Sequence, residues 1–153
     1  MALRPDRQEL VTDLSFFMNE TAERGLIVVA STAGSGAAMD DSSAAVKINA
    51  VADRASDKPV GLLLNDVVNL DLTRQHINYA KDEVQKGSKV ALLRVGTVTT
   101  DQISGAVTMG DAAHFHNAGQ LSSATLSSDS VQVGRFLSTK DADGFAKVAI
   151  NIQ

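Results

Sequence analysis

Two histidines, His114 and His116, stand two residues apart in a stretch that reads as a strand, so both imidazoles project from one face. That geometry suits two ligands of zinc or nickel, with Asp111 or His76 as candidates for a third. Alternating histidines more commonly mark an exposed strand face, and the reading adopted is no metal. Asp141, Asp143 and Gly144 begin like the D-x-D-G corner of a calcium loop. The bidentate glutamate required twelve residues in is replaced by Ile152, which leaves a hairpin turn as the default. Gly34-Ser35-Gly36 offers backbone N–H groups of the kind that hold phosphate, but no lysine follows before Lys47. Ser35 is not on a nucleophile elbow either, because Ala33 stands where its first glycine belongs. The serines, acids and three histidines are scattered without a spacing that selects a triad or a paired-carboxylate site. The chemistry of the side chains therefore points away from an enzyme and calls for no cofactor.

Composition narrows the class further. With 153 residues the chain is expected to form one main domain with a sizeable core. Eighteen acids against fourteen bases leave a formal charge of -4, which argues against a nucleic-acid surface. Aromatic residues make up 4% and tryptophan is absent, so a stacking platform for bases or sugars is not expected. The absence of cysteine removes disulfides, thiolate-bound zinc and a thiol nucleophile together. No apolar run reaches the roughly 20 residues that a membrane helix needs, and MALRPDRQEL lacks the apolar core of a secretory signal. Synthesis in a cytoplasm with no membrane partner is the expectation.

The elements that would position these residues read as strands. Residues 87–119 form the organising stretch: 89–95 are apolar on both faces, Gly96 interrupts, and 97–100 resume with β-branched residues. Gly105, Gly110 and Gly119 recur at the spacing of short strands. Residues 26–30 (LIVVA), 46–53, 60–68 (VGLLLNDVV) and 131–137 read as further strands, with a bulge or tight turn at Asn65-Asp66. The last strand has the clearest register, with Ala146, Val148, Ile150 and Ile152 inward and Lys147 and Asn151 outward. Residues 31–45 and the serine-rich 120–130 read as loops, the latter exposed or a short edge hairpin.

Two segments stay open between helix and strand. In residues 1–24, Asp6 and Glu9 resemble a capping box ahead of Leu10, Leu14 and Phe17, yet Leu14, Phe16 and Met18 alternate. In residues 71–86, Ile77, Ala80 and Val84 fit a helix while Ile77 and Tyr79 fit a strand. The fold expected is all-β, a small β-barrel or β-sandwich over residues 25–153. Residues 1–24 would be an N-terminal arm containing at most one short helix. Because one small domain ordinarily buries a single face of such strands, burial between chains is expected, unless a filled closed barrel or the N-terminal segment covers the second face.

Three pieces of the chain together resemble the capsid decoration, or cement, proteins of tailed bacteriophages. They are PVGLLLNDVVN at 59–69, the stretch from Gln75 to Gly105 with its KDEV segment and G-x-V-x-T strand, and QVGRFLSTKDADGFAKVAIN at 132–151. They cover about half the chain. The resemblance implies a non-enzymatic virion protein on the exterior of the head. It would bind the major capsid protein, assemble as a homotrimer and stabilise the shell. On that reading Arg4 and Arg7 of the arm meet an acidic coat surface, and of the adjacent Phe16 and Phe17 one packs at home while the other meets a neighbour. A tail, baseplate or receptor-facing β module is the alternative, with a small cytoplasmic enzyme behind it.

Overall fold

The chain forms eleven strands in a computed structural model that describes residues 2–31, 45–48, 58–68, 82–126 and 130–153. In order they are β1 (Gln8–Met18), β2 (Ala22–Glu23), β3 (Ile27–Ala30), β4 (Ala45–Lys47), β5 (Pro59–Val68) and β6 (Glu83–Val84). They continue with β7 (Lys89–Thr100), β8 (Ala112–Phe115), β9 (Leu121–Ser122), β10 (Gln132–Phe136) and β11 (Ala146–Asn151). A three-residue 3-10 turn at Asn117–Gly119 is the helical element among the described residues. The fold is all-β.

Nine strands make one sheet in the order β1-β4-β3-β5-β7-β11-β10-β8-β9, and an additional β1–β7 pairing bends one end of it into a ring. That ring, β1-β4-β3-β5-β7, is a closed five-stranded barrel. Closure removes the open edge that a sheet of this size would otherwise present. Only β1 and β4 run parallel within it. Past β7 the sheet continues through β11, β10, β8 and β9, and Ile103 bridges Leu121 of β9 just after β7 has ended.

β7 belongs to both halves. It pairs with β5 along Lys89–Leu93 and with β11 along Val95–Thr100, while β1 pairs with it from Lys89 to Thr97. A strand has two edges, so β5 and β11 share one in succession and β1 takes the other. The change of partner falls at Arg94, between Leu93 and Val95. Two residues on, at Gly96, a Cβ would sit 2.1 Å from the Gln8 carbonyl oxygen, which is why that position must be glycine. Instead of the interruption that Gly96 suggests in the sequence, one strand runs through it.

Alternation along β3, β5 and β7 sorts their side chains between two cores. Val28, Leu63, Val90 and Leu92 fill the barrel with Met18 and Val46. Ile27, Val29, Leu62, Leu64, Ala91 and Leu93 face the second core, where Phe136, Val148 and Ile150 meet them. The two-faced apolar character of these strands is thus satisfied inside one chain. The expectation that the second face would be left for burial between chains fails on this point, because the closed barrel supplies the missing layer.

The N-terminal segment is extended. Phe16 and Met18 contribute to the barrel core, so the alternating reading of residues 14–18 prevails over the helical one. Leu10 and Leu14 are exposed, against helical spacing for both and against the alternation for Leu14, which the register shift between Asp13 and Phe16 turns away from Phe16 and Met18. Ahead of β1 the chain continues along the far end of β7, where Leu3 bridges Thr100 and the Arg4 N–H donates to the Thr99 carbonyl. Ala2 and Leu3 are buried, Leu3 within the second core.

The remaining elements follow the sequence with local differences. In β5 the register shifts between Leu63 and Asn65 and again between Asp66 and Val68, a bulged stretch at the expected place. β11 has the expected inward set, all four residues being buried. Of the two readings of residues 120–130, an exposed loop or a short edge hairpin, Leu121 and Ser122 follow the second: they form the edge strand β9 against β8, and both are buried there beside the turn after β7. The strand expected over 46–53 is seen as β4, residues 49–53 lying outside the described residues, as do the loop at 32–44 and the ambiguous 71–81.

Candidate functional surface

The residues with the strongest claim to chemistry are spent on structure. Asp141 Oδ1 accepts the N–H groups of Asp143 (3.1 Å) and Phe145 (2.7 Å), and its Oδ2 accepts from Arg4 at 3.0 Å. A carboxylate holding its own turn in this way is the hairpin reading of the D-x-D-G corner. Asp111 does the same for its turn, accepting the Thr108 N–H at 2.8 Å.

His114 and His116 lie on and just after β8, between the buried Ala113 and Phe115 that face the core. They are half-buried, not exposed, and each Nδ1 is shut off from solvent with no hydrogen-bond partner among the described residues. No three potential metal ligands lie together among the described residues. His76, Gly34, Ser35 and Gly36 fall outside them. Two shallow clefts of about 350 and 360 Å³ flank β10 and β11, lined by residues such as Gln132, Arg135, Asn151 and Lys58. Their described linings include no acidic, histidine or hydroxyl side chain.

The four residues expected to touch coat protein or a second subunit are placed as follows. Arg4 is clasped to the β10–β11 turn, within 3.0 Å of Asp141 and 3.6 Å of Asp143, with its guanidinium 4.2 Å over the Phe145 ring. Arg7 pairs with Glu9 on its own segment. Phe17 is buried and Phe16 is partly buried against the barrel core. Neighbouring apolar residues carry the exposure instead. Leu10 is 73% exposed, and Val11 and Leu14 are each 48% exposed.

β1 also owns the most distinctive charge in the region. Burial pushes the Asp13 carboxyl up, but hydrogen bonds from the Ser15 hydroxyl and N–H, with the Arg94 charge nearby, outweigh it and hold the group below the usual carboxylate range. The turn made by Asp13 and Ser15 coincides with a register shift between Asp13 and Phe16 against β7. Above that shift β1 turns Leu14 outward; below it Phe16 and Met18 turn in. This surface was not legible in the sequence, because residues 1–24 stay open between a helix that turns Leu10 and Leu14 inward and a strand that sets Leu14 with Phe16 and Met18. The β-branched pair Val11-Thr12 between Leu10 and Leu14 was the available signal of a strand.

An all-β chain in which Asp111 and Asp141 serve their own turns, and in which half of the exposed large apolar residues described fall on one strand, has the makings of a structural module. The comparison with known families agrees: the XM1 gp53 minor capsid protein family matches residues 6–152. The chain belongs to that family, and is a structural protein associated with a phage capsid and hence with the virion. No curated protein matches the chain.

Proposed function

We propose that the protein binds the outer surface of the phage head, contacts the major capsid protein and stabilises the shell as a decoration protein. The observation that carries this is the minor-capsid family match over nearly the whole chain. The fold supports it. A barrel sharing its central strand with a second core is a stiff block, and a cysteine-free, acidic surface keeps it soluble until it docks. Its partner in repeated shell contacts is itself, as a homotrimer. That expectation now rests on the resemblance to decoration proteins, since the two-faced strands are covered within the chain. Residues 1–24, woven into the domain through β1 and the buried Leu3, Phe17 and Met18, turn their exposed side chains to the shell. Within a closed trimer, contacts that are weak singly add through avidity.

The test is reconstitution. Purified protein is added to heads that lack it, and the heads are challenged with heat and with chelator. Binding with raised resistance is expected. Binding to tails or baseplates alone would replace this reading with a tail-module one, and binding to neither would overturn it. Sedimentation at micromolar concentration checks the trimer, and a monomer of 16.1 kDa would refute it.

A further inference from the structure

Three of the six large apolar side chains that stand exposed among the described residues, Leu10, Val11 and Leu14, fall within five positions of β1. Exposed apolar residues scattered singly need no explanation, but a cluster on one strand marks a contact. β1 is paired with β7 from Gln8 to Phe17, so these side chains are carried on a fixed backbone.

Charge and composition say which partner. β1 carries two acids, Glu9 and Asp13, and no lysine or arginine. Arg7, just before it, is taken up by Glu9. With Glu9 paired to Arg7, Asp13 is the carboxylate that meets a partner; a second copy of β1 would set another Asp13 against it, whereas a basic side chain offsets its charge. A nucleic acid or an anionic membrane is disfavoured by the same sign. The family places the chain on a capsid. We propose that the strip formed by Leu10, Val11 and Leu14, flanked by the Asp13 carboxylate, docks an apolar segment of a coat subunit that carries a basic side chain. This rests on the head-binding reading above and names the surface through which it acts.

The lack of cysteine gives a direct test. Leu10→Cys introduces a single thiol on the strip, and Met109→Cys introduces one at another exposed apolar position, on the turn before β8. With a thiol-linked photo-crosslinker and heads lacking the protein, the Leu10→Cys chain is expected to couple to the coat subunit and the Met109→Cys chain is not. In parallel, Leu10→Lys/Leu14→Lys should lower head affinity at least about tenfold with its thermal midpoint unchanged. Should that variant unfold, Leu10→Ser alone supplies the affinity reading. Wild-type affinity should also weaken as salt is raised, as a charged contact requires. If wild-type protein binds heads but the lysine or serine variants bind equally well, the strip is not the docking surface. Crosslinking of Leu10→Cys only to another copy of the chain would overturn the proposal in favour of a subunit contact. Failure of the wild type to bind heads at all would instead strike the head-binding reading.

Discussion

At the scale of single residues, Asp13, Asp111 and Asp141 each hold a local turn, and their substitution should read out as stability. Asp13 is the clearest case. Its folded pKa lies below the ordinary value, so its contribution is fully present above the unfolded pKa of about 4 and is lost as pH falls through the folded value. Asp13→Asn should therefore be less stable than wild type at neutral pH, and the gap should close in acid; urea titrations at a series of pH values would show it. A gap independent of pH would mean that the Asp13–Ser15 turn acts through shape alone. The histidines differ from surface residues because each ring is half-buried, so truncation loses packing that relief of an unpartnered Nδ1 only partly offsets. His114→Ala with His116→Ala should cost on the order of 1–2 kcal/mol, beyond the roughly 0.5 kcal/mol of a typical surface change. Release of zinc or nickel on unfolding the wild type, measured by metal analysis, would instead make them ligands.

At the scale of elements, the strands that period-two alternation defines were legible: β3, β5 and β11 stand where residues 26–30, 60–68 and 146–152 place them. Apolar character on both faces of residues 89–95 correctly announced cover on both sides. What covers them was not legible, because ring closure depends on a β1–β7 pairing between segments some 80 positions apart. Gly96 misled for a related reason. A glycine that ends a strand and a glycine that admits a crossing backbone look the same in sequence. Gly96→Ala tests the second role and should destabilise by roughly 2–4 kcal/mol, since its Cβ would meet the Gln8 carbonyl at 2.1 Å. A neutral result would show that β1 can stand off from β7. The N-terminal segment gives a third expectation. Deleting residues 1–12 should leave a folded domain, because β11, β5 and the lower end of β1 keep their apolar contacts. The loss of buried Leu3 should nonetheless lower its stability by about 2–5 kcal/mol. A truncated chain that no longer unfolds cooperatively in urea would make the whole segment part of the domain.

At the scale of the molecule, two cores meet on one shared wall. The barrel side holds Val90 and Leu92 of β7, and the other side holds Ala91, Leu93 and Val98 of the same strand. Neither core can lose that wall and survive, so the halves have no means of melting one after the other. A single calorimetric transition is expected, with calorimetric and van't Hoff enthalpies in agreement. The backbone amides of β7, hydrogen-bonded to β1 on one edge and to β5 and then β11 on the other, should exchange with deuterium only when the whole chain opens. For a capsid-associated protein, force entering at either half is then resisted by both, and the chain yields all at once or not at all.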